Sequence, residues 1–372
     1  MPKVSLVIPA YNIESYIRRC IESVKHQTFT DFEAIVVDDA STDNTHAVLV
    51  EAIGDDTRFR LVRHEKNRGL HLARRSAAAL VSGEYVFCLD GDDELAPDFL
   101  QQVVGRMDEH PVDMLHVGIT VIPENGVTPQ EAEGFAAYIN RPTTPLNDAD
   151  ILRMIYDEAN GQPLDWRATQ RLYRASLFKA AFERMTDEVL ERAEDAYEVF
   201  VLATLSETAD GFEACRGYIY HYGIGVTGTS KISMDTFGRF CKQFAACIQK
   251  TEEFVQEYGA TAELQSAYCG MVHKLLELLA NDWLVRVDSA EQEEALKPFA
   301  AAFNDAVVAR ELYRFVRDIA YEAIASEKEL LQDSDAHRFY TYAHEFSAEM
   351  GSEDGVAMAR AAHMKDVADE HM

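Results

Sequence analysis

Asp90, Gly91, Asp92 and Asp93 follow the strand-like run YVFCL and set three carboxylates on one short turn. Carboxylates that close repel one another, and a cation between them relieves the repulsion. Oxygen ligands of this type suit Mg2+ or Mn2+, ions that also bridge the oxygens of a diphosphate. A solvated acidic turn has the same sequence, and short Asp-X-Asp matches recur by chance, so the turn alone leaves both readings open.

The rest of the composition sharpens the question. The chain has 64 acidic against 35 basic residues, a formal net charge of −29. Nucleic-acid surfaces need basic patches to neutralise phosphates, so a nucleic-acid partner is disfavoured. A phosphate-bearing substrate would need a local device: a divalent cation, backbone amides or a few arginines. Six cysteines, Cys20, Cys88, Cys215, Cys241, Cys247 and Cys269, are scattered without a C-x-x-C pair, which predicts mostly buried thiols in a reducing compartment. No leader-like segment opens the sequence, and no run of 18 uncharged apolar residues occurs in it. The expected location is the cytoplasm, with at most peripheral contact at the inner face of the membrane.

The elements around the acidic turn alternate. Val4–Ile8 reads as a strand ending at Pro9, and a helix with apolar residues at 13, 16, 17, 20, 21 and 24 follows, with Asn12 as its expected cap. Phe32–Val37 is a second strand stopping at Asp38 and Asp39, followed by a helix to about Ile53. A strand over 59–63, a helix from Gly69 to about Val81, a strand over 85–89, a helix to about Glu109 and a strand over 114–122 complete the pattern. Such alternation predicts an α/β fold with a mostly parallel sheet, whose ligands bind beyond the carboxyl ends of the strands. Pro9, Asp39 and Asp90 all fall at such ends. The proline-bearing stretch 123–146 reads as a loop or lid, and 217–222 reads as a strand before the segment GIGVTGTSK. With 372 residues, two units are expected: 1–233 as the α/β domain and 234–372 as an α-helical C-terminal domain. In the latter, Phe237, Phe240, Cys241, Phe244 and Ile248 form one stripe, Leu264 to Leu279 another, and later helices are expected over 309–326 and 333–349.

Four segments, VSLVIPAYN, VVDDAST, NRGLHLARR and GEYVFCLDGDD, occur in the order and approximate spacing of family 2 glycosyltransferases. The sequence resembles that family closely over about residues 2–110 and more loosely to about 230. The resemblance implies a GT-A fold, Rossmann-like, and an inverting transfer of sugar from a nucleotide-diphosphate donor, commonly UDP-linked, to an acceptor hydroxyl. It implies that Pro9, Ala10 and Tyr11 line the nucleotide pocket, that Asp39 accepts a hydrogen bond from the base, and that Gly69 lets the backbone approach the donor. Asp90 and Gly91 fall on the ribose side, Asp92 on the Mn2+ or Mg2+, and Asp93 is auxiliary. Arg68 and Arg74 are candidate diphosphate contacts, because their charge opposes the chain's negative field.

An acceptor hydroxyl attacking the anomeric carbon must lose a proton, and an ordinary carboxylate of pKa about 4 is ionised at neutral pH and able to take it. The family places an acidic pair at a helix start roughly a hundred residues beyond the metal turn, which falls here on Glu194 and Asp195, with Asp195 as the base. His221 stands where some relatives complete the metal shell with a histidine. Trp166 is a candidate for facing the acceptor. Each assignment has a plain structural counterpart: a core aromatic for Tyr11, a helix cap for Asp39, solvated helix arginines for Arg68 and Arg74, an acidic first turn for Glu194 and Asp195, a hydrogen-bonded strand-end residue for His221 and a buried ring for Trp166.

The expected acceptor is a saccharide or lipid-linked saccharide of a cell-surface polysaccharide or glycoconjugate. The C-terminal helices leave open a homodimer, acceptor recognition or membrane contact. The rival from another class is a non-catalytic sugar-nucleotide-binding or scaffold protein. A nucleotidylyltransferase is disfavoured because PAYNIES supplies no Gly-rich basic loop, and neither G-x-G-x-x-G nor G-x-x-x-x-G-K-[ST] occurs to support a dehydrogenase or P-loop reading.

Overall fold

The computed structural model describes residues 1–156, 165–224, 230–325, 338–339 and 341–343. They cluster into two compact units, Met1–Gly228 with Cys247–Met271, and Thr229–Ala246 with Val272–Met372.

The first unit holds the sheet. Its strands are β1 (Val4–Ala10), β2 (Phe32–Asp38), β3 (Phe59–Arg63), β4 (Tyr85–Cys88), β5 (Glu94–Leu95), β6 (Met114–Val117), β7 (Ile119–Pro123), β8 (Leu146–Asn147), β9 (Arg171–Arg174), β10 (Thr208–Phe212) and β11 (Tyr218–Tyr222). Eight of them form one sheet in the order β3-β2-β1-β4-β9-β6-β10-β8, and β5-β11-β7 form a second, smaller one. Pairs β1–β2, β2–β3, β1–β4 and β6–β10 are parallel, whereas β9 runs antiparallel between β4 and β6. The expected mostly parallel α/β sheet is therefore present. All seven residues of β1 are buried, as a strand covered on both faces requires.

Helices α1 (Ile17–Lys25), α2 (Thr45–Ile53) and α4 (Phe99–Glu109) pack one face, where Ile17, Ile21, Leu49, Phe99 and Val103 join Leu6, Ile8, Val36 and Phe87 in a single core. Helix α3 (Gly69–Ala78) packs against β1 and β2 with Leu72, Ala73 and Ala77 buried. Helices α6 (Ala149–Tyr156), α7 (Ala175–Arg184) and α8 (Glu194–Leu205) belong to the same unit, and α8 packs on both α6 and α7. Further on, α9 (Met234–Tyr258) and α10 (Ala262–Arg286) are divided between the two units, and α11 (Gln292–Phe303) and α12 (Asp305–Ala325) lie in the second. There Trp283, 1% exposed, donates its indole N–H to the Gln292 carbonyl at 2.8 Å and stacks near Phe315. No described helix is long and apolar enough to cross a membrane. Five cysteines are buried and free as expected, while Cys269 is exposed.

Local expectations needed correction at three places. Asn12 does not cap α1, which starts at Ile17. It adopts a left-handed conformation at φ 52° and uses its side-chain oxygen to accept from the Thr42 N–H at 2.8 Å, tying the end of β1 to the loop after β2. The single strand expected over 114–122 is two strands in different sheets, broken at Gly118, where an added Cβ would stand 2.2 Å from the Glu213 carbonyl oxygen. The stretch 123–146 contains helix α5 (Pro129–Ile139), started by a capping box in which Thr128 and Glu131 satisfy each other's backbone N–H groups. Pro129 is its first residue, where a missing N–H costs nothing. The central residues of GIGVTGTSK and most of the helix expected over 333–349 lie outside the described residues.

Candidate active site

Three parallel strands, β1, β2 and β4, deliver their carboxyl ends to one rim, and the loops leaving them carry most of the expected site residues. Pro9 and Ala10 finish β1 and are buried, whereas Tyr11 just beyond them is 45% exposed. That exposure removes the core-aromatic reading of Tyr11. Gly91 lies tightly against this strand end, since a Cβ on it would come within 2.9 Å of the Pro9 carbonyl oxygen and 2.6 Å of Ile13 Cδ1.

Asp39 is 3% exposed, and its carboxylate serves the start of α3. Oδ1 accepts from the Arg68 N–H at 2.9 Å and Oδ2 from the Gly69 N–H at 2.7 Å, while His64 Nδ1 lies 2.6 Å from Oδ1. An anion at a helix N-terminus is favoured by the orphan amides and the helix dipole. Gly69 sits at φ 80°, a backbone region that suits glycine, and allows the chain to turn into α3 there. Arg68 is half-buried and forms no side-chain ion pair among the described residues.

The acidic turn differentiates its three carboxylates. Asp93 is 1% exposed and accepts from the Tyr218 hydroxyl at 2.5 Å and the His221 N–H at 2.9 Å. Asp90 faces the Arg74 guanidinium at 3.3 Å. Asp92 is half-buried and forms no ion pair among the described residues, although Arg19 donates to its main-chain carbonyl at 2.6 Å. Burial, and then their mutual repulsion, pushes Asp93 up to about 8. For Asp90, burial dominates over the opposing charge of Arg74 and gives about 7. Asp92 is also raised, chiefly by burial. Carboxylates held that far above their ordinary range are short of positive charge.

Arg74 is wholly buried and does not stand free to meet a phosphate. Its Nη1 donates to Asp195 in a short contact and to Glu198 at 2.9 Å, while Nη2 faces Asp90. Burial opposes its charge, but Asp195, Glu198 and Asp90 together outweigh that effect and hold it firmly protonated. Asp195 and Glu194 open α8 after Ala193, whose φ of 65° turns the chain into the helix. The Asp195 side chain is 25% exposed, so it combines a fixed partner with access to solvent. Its pKa is raised by burial against the pull of Arg74, which departs from the ordinary value expected from sequence. Glu194, 8% exposed, is pushed up to about 8 by burial and by the adjacent Asp195.

His221 is placed at the acidic turn but with both ring nitrogens engaged: Nε2 lies 2.8 Å from Glu94 and Nδ1 2.9 Å from Glu124. Among the described residues no three His, Cys, Asp or Glu side chains converge as a ready-made metal cage. Asp92 has no ion pair among the described residues and could serve as a single protein ligand to Mg2+, which takes only one or two carboxylates and leaves its other positions to water and phosphate. Trp166 stacks on Tyr156 at a 6.0 Å centroid separation and is half-buried.

Several residues that shape this site were not singled out from sequence. Glu198 and His71 close the network around Arg74, Tyr218 and Glu94 tie the acidic turn to β11, and Glu124 holds the other His221 nitrogen. A signal existed for Glu198: it falls one turn after Glu194 and Asp195 in a helix otherwise apolar from Val199 to Ala203, a position that water would not cover. His71 lies three residues before Arg74, hence on the same helix face.

Because its pKa rises on folding, Glu194 makes a pH-dependent contribution to stability. A group with a folded pKa above its unfolded value lends stability that is complete below about pH 4.5 and lost as pH climbs through about 8. Without divalent cations, the denaturant midpoint should fall across that window, and Glu194→Gln should flatten the fall by on the order of 1–3 kcal/mol. Parallel curves for the two proteins would show that Glu194 does not carry the effect.

Residues 5–182 match the family model described as glycosyl transferase family 2. The chain is 25% identical to EpsH of Bacillus subtilis (strain 168), which bears a provisional glycosyltransferase name, over 339 residues covering 87% of this chain and 95% of that one. It is 44% identical to the chondroitin synthase of Escherichia coli over 101 residues, covering 27% of this chain and 15% of the synthase. Among solved structures, the S. aureus TarS fragment 1–349 superposes with a TM-score of 0.58 at 19% identity, covering 94% of this chain and 93% of that one. The same fragment is also known in complex with UDP-GlcNAc, where it aligns at a TM-score of 0.57 and 20% identity over 94% of this chain and 93% of that one.

Proposed function

We propose that this chain, whose residues 5–182 match the model of glycosyl transferase family 2, moves a sugar from a UDP-sugar to an acceptor hydroxyl with inversion at the anomeric carbon. The observation that carries this reading is the Arg74 guanidinium, which joins Asp90 of the donor-side turn to Asp195 at the start of α8. Two acids that sequence assigns to opposite ends of one displacement are thereby brought to one cation's width of each other.

In this reading Pro9, Ala10, Tyr11 and Gly91 line the nucleotide, Asp39 keeps Arg68 and Gly69 in place beside it, and Arg68 offers a cation to the diphosphate. Asp90 faces the ribose. Asp92 would hold Mn2+ or Mg2+, with His221 joining only if it released Glu94 or Glu124; such an ion supplies positive charge to a leaving diphosphate. Asp195, fixed by Arg74 yet partly open to solvent, accepts the proton of the incoming hydroxyl. A carboxylate raised above its usual range is the stronger base for that transfer. Glu194 stays buried beside it, and burial keeps Asp195 in that raised range.

Catalysis is assigned to residues 1–233, with 234–372 as an accompanying helical region. The acceptor class is a saccharide or lipid-linked saccharide in polysaccharide or glycoconjugate synthesis, a reading supported by the chondroitin synthase among the relatives. The UDP-GlcNAc complex of the fold neighbour supports UDP as the nucleotide. Incubation with a panel of UDP-, GDP- and dTDP-sugars plus Mn2+, read by nucleoside-diphosphate release and by NMR of the anomeric proton, tests the proposal. Release from UDP-sugars with an inverted product is expected. Binding of UDP without turnover on any acceptor would favour a scaffold instead.

A further inference from the structure

Resting on the function proposed above, we infer that His71 and Glu198 form a charge-neutral anchor that positions Arg74 and, through it, Asp195. All three of His71, Glu198 and Arg74 are fully buried. His71 Nε2 lies 2.9 Å from the Thr186 carbonyl oxygen, and a carbonyl can only accept, so Nε2 carries a hydrogen. Nδ1 lies 2.8 Å from Glu198 Oε1. A bare imidazole nitrogen and a carboxylate oxygen are both acceptors, so a proton must lie between them. Whether the imidazole or the carboxyl owns that proton, the pair as a whole has no net charge.

The neutrality matters because the other Glu198 oxygen accepts from Arg74 Nη1 at 2.9 Å. Were Glu198 a lone anion, it would spend part of the Arg74 charge and add an uncompensated buried charge beside Asp195. As one half of a neutral pair, it holds the guanidinium without adding net negative charge to the cluster. The ring cannot rotate away, because Phe182 stacks on it at 6.0 Å and Tyr197 meets it edge-on at 5.9 Å. Three side chains from α3 and α8, His71, Arg74 and Glu198, thus fix a base that stands at the partly exposed start of a helix. His71, Arg74 and Glu198 are positioning residues, buried away from any substrate.

The test compares Glu198→Gln with Glu198→Leu in the full chain, measuring kcat, UDP affinity and a crystal structure of each variant. A Gln side chain can accept from Arg74 through its oxygen and donate to a neutral His71 through its amide, so it rebuilds the anchor without the acid. Glu198→Gln is expected to keep about a third or more of wild-type kcat, whereas Glu198→Leu loses about 100-fold in kcat with UDP affinity within about threefold, as misplacement of a base would cause. Equal losses in the two variants would overturn the neutral anchor, as would full kcat in the Leu variant. If the wild type transfers no sugar from any donor, the functional reading fails by itself, and the structures still decide the anchor. Arg74 displaced from Asp195 in the Leu variant but not in the Gln variant supports it; Arg74 unmoved in both overturns it.

Discussion

Asp195→Asn is expected to lower kcat for sugar transfer by about 1000-fold or more, with UDP affinity within about threefold of wild type. Asparagine is nearly isosteric and can still accept from Arg74, so the cage around the guanidinium persists while the proton acceptor is lost. The donor contacts proposed for the strand ends do not include this side chain, which is why binding and turnover separate. Initial-rate kinetics paired with calorimetry check the prediction. A variant with wild-type turnover would remove Asp195 as the base.

The second large effect is expected at Asp92. Within the acidic turn, Asp93 is committed to Tyr218 and the His221 amide, and Asp90 to Arg74, while the Asp92 carboxylate has no ion pair among the described residues. It is the carboxylate best able to take a cation without dismantling existing structure. Asp92→Asn should therefore weaken donor binding in Mn2+ by about 100-fold, a loss typical of damaging a metal's surroundings, and change binding in EDTA far less. His221→Ala gives the contrasting case. With both ring nitrogens held by Glu94 and Glu124, unchanged Mn2+ dependence in that variant would remove His221 from the metal's ligands.

Much of this arrangement was readable in the chain because its causes are local. Apolar runs stopped by Pro9, Asp38 and Asp90 mark strand ends, and strand ends of a parallel sheet converge by topology. Helix α5 is equally local: Pro129 reads as a breaker by itself, but the Thr128 and Glu131 pair around it signals a start. Other features have causes that spacing does not carry. Asn12 leaves the helix because a loop 30 residues away offers it a backbone N–H. Gly118 divides two strands because Glu213 passes beside it. Arg74 was read against the negative charge of the whole chain, but what captures it is a set of carboxylates assembled from 16 to 124 residues away.

If this strongly acidic chain accepts a nucleoside diphosphate by way of a divalent cation at Asp92, the binding of UDP must depend on that cation. Calorimetric titration of the wild-type protein with UDP, in Mn2+ and again in EDTA, measures this dependence. Saturable binding in Mn2+ that weakens by about 100-fold or more in EDTA is expected. Binding of equal strength in both buffers, or none in either, would contradict it.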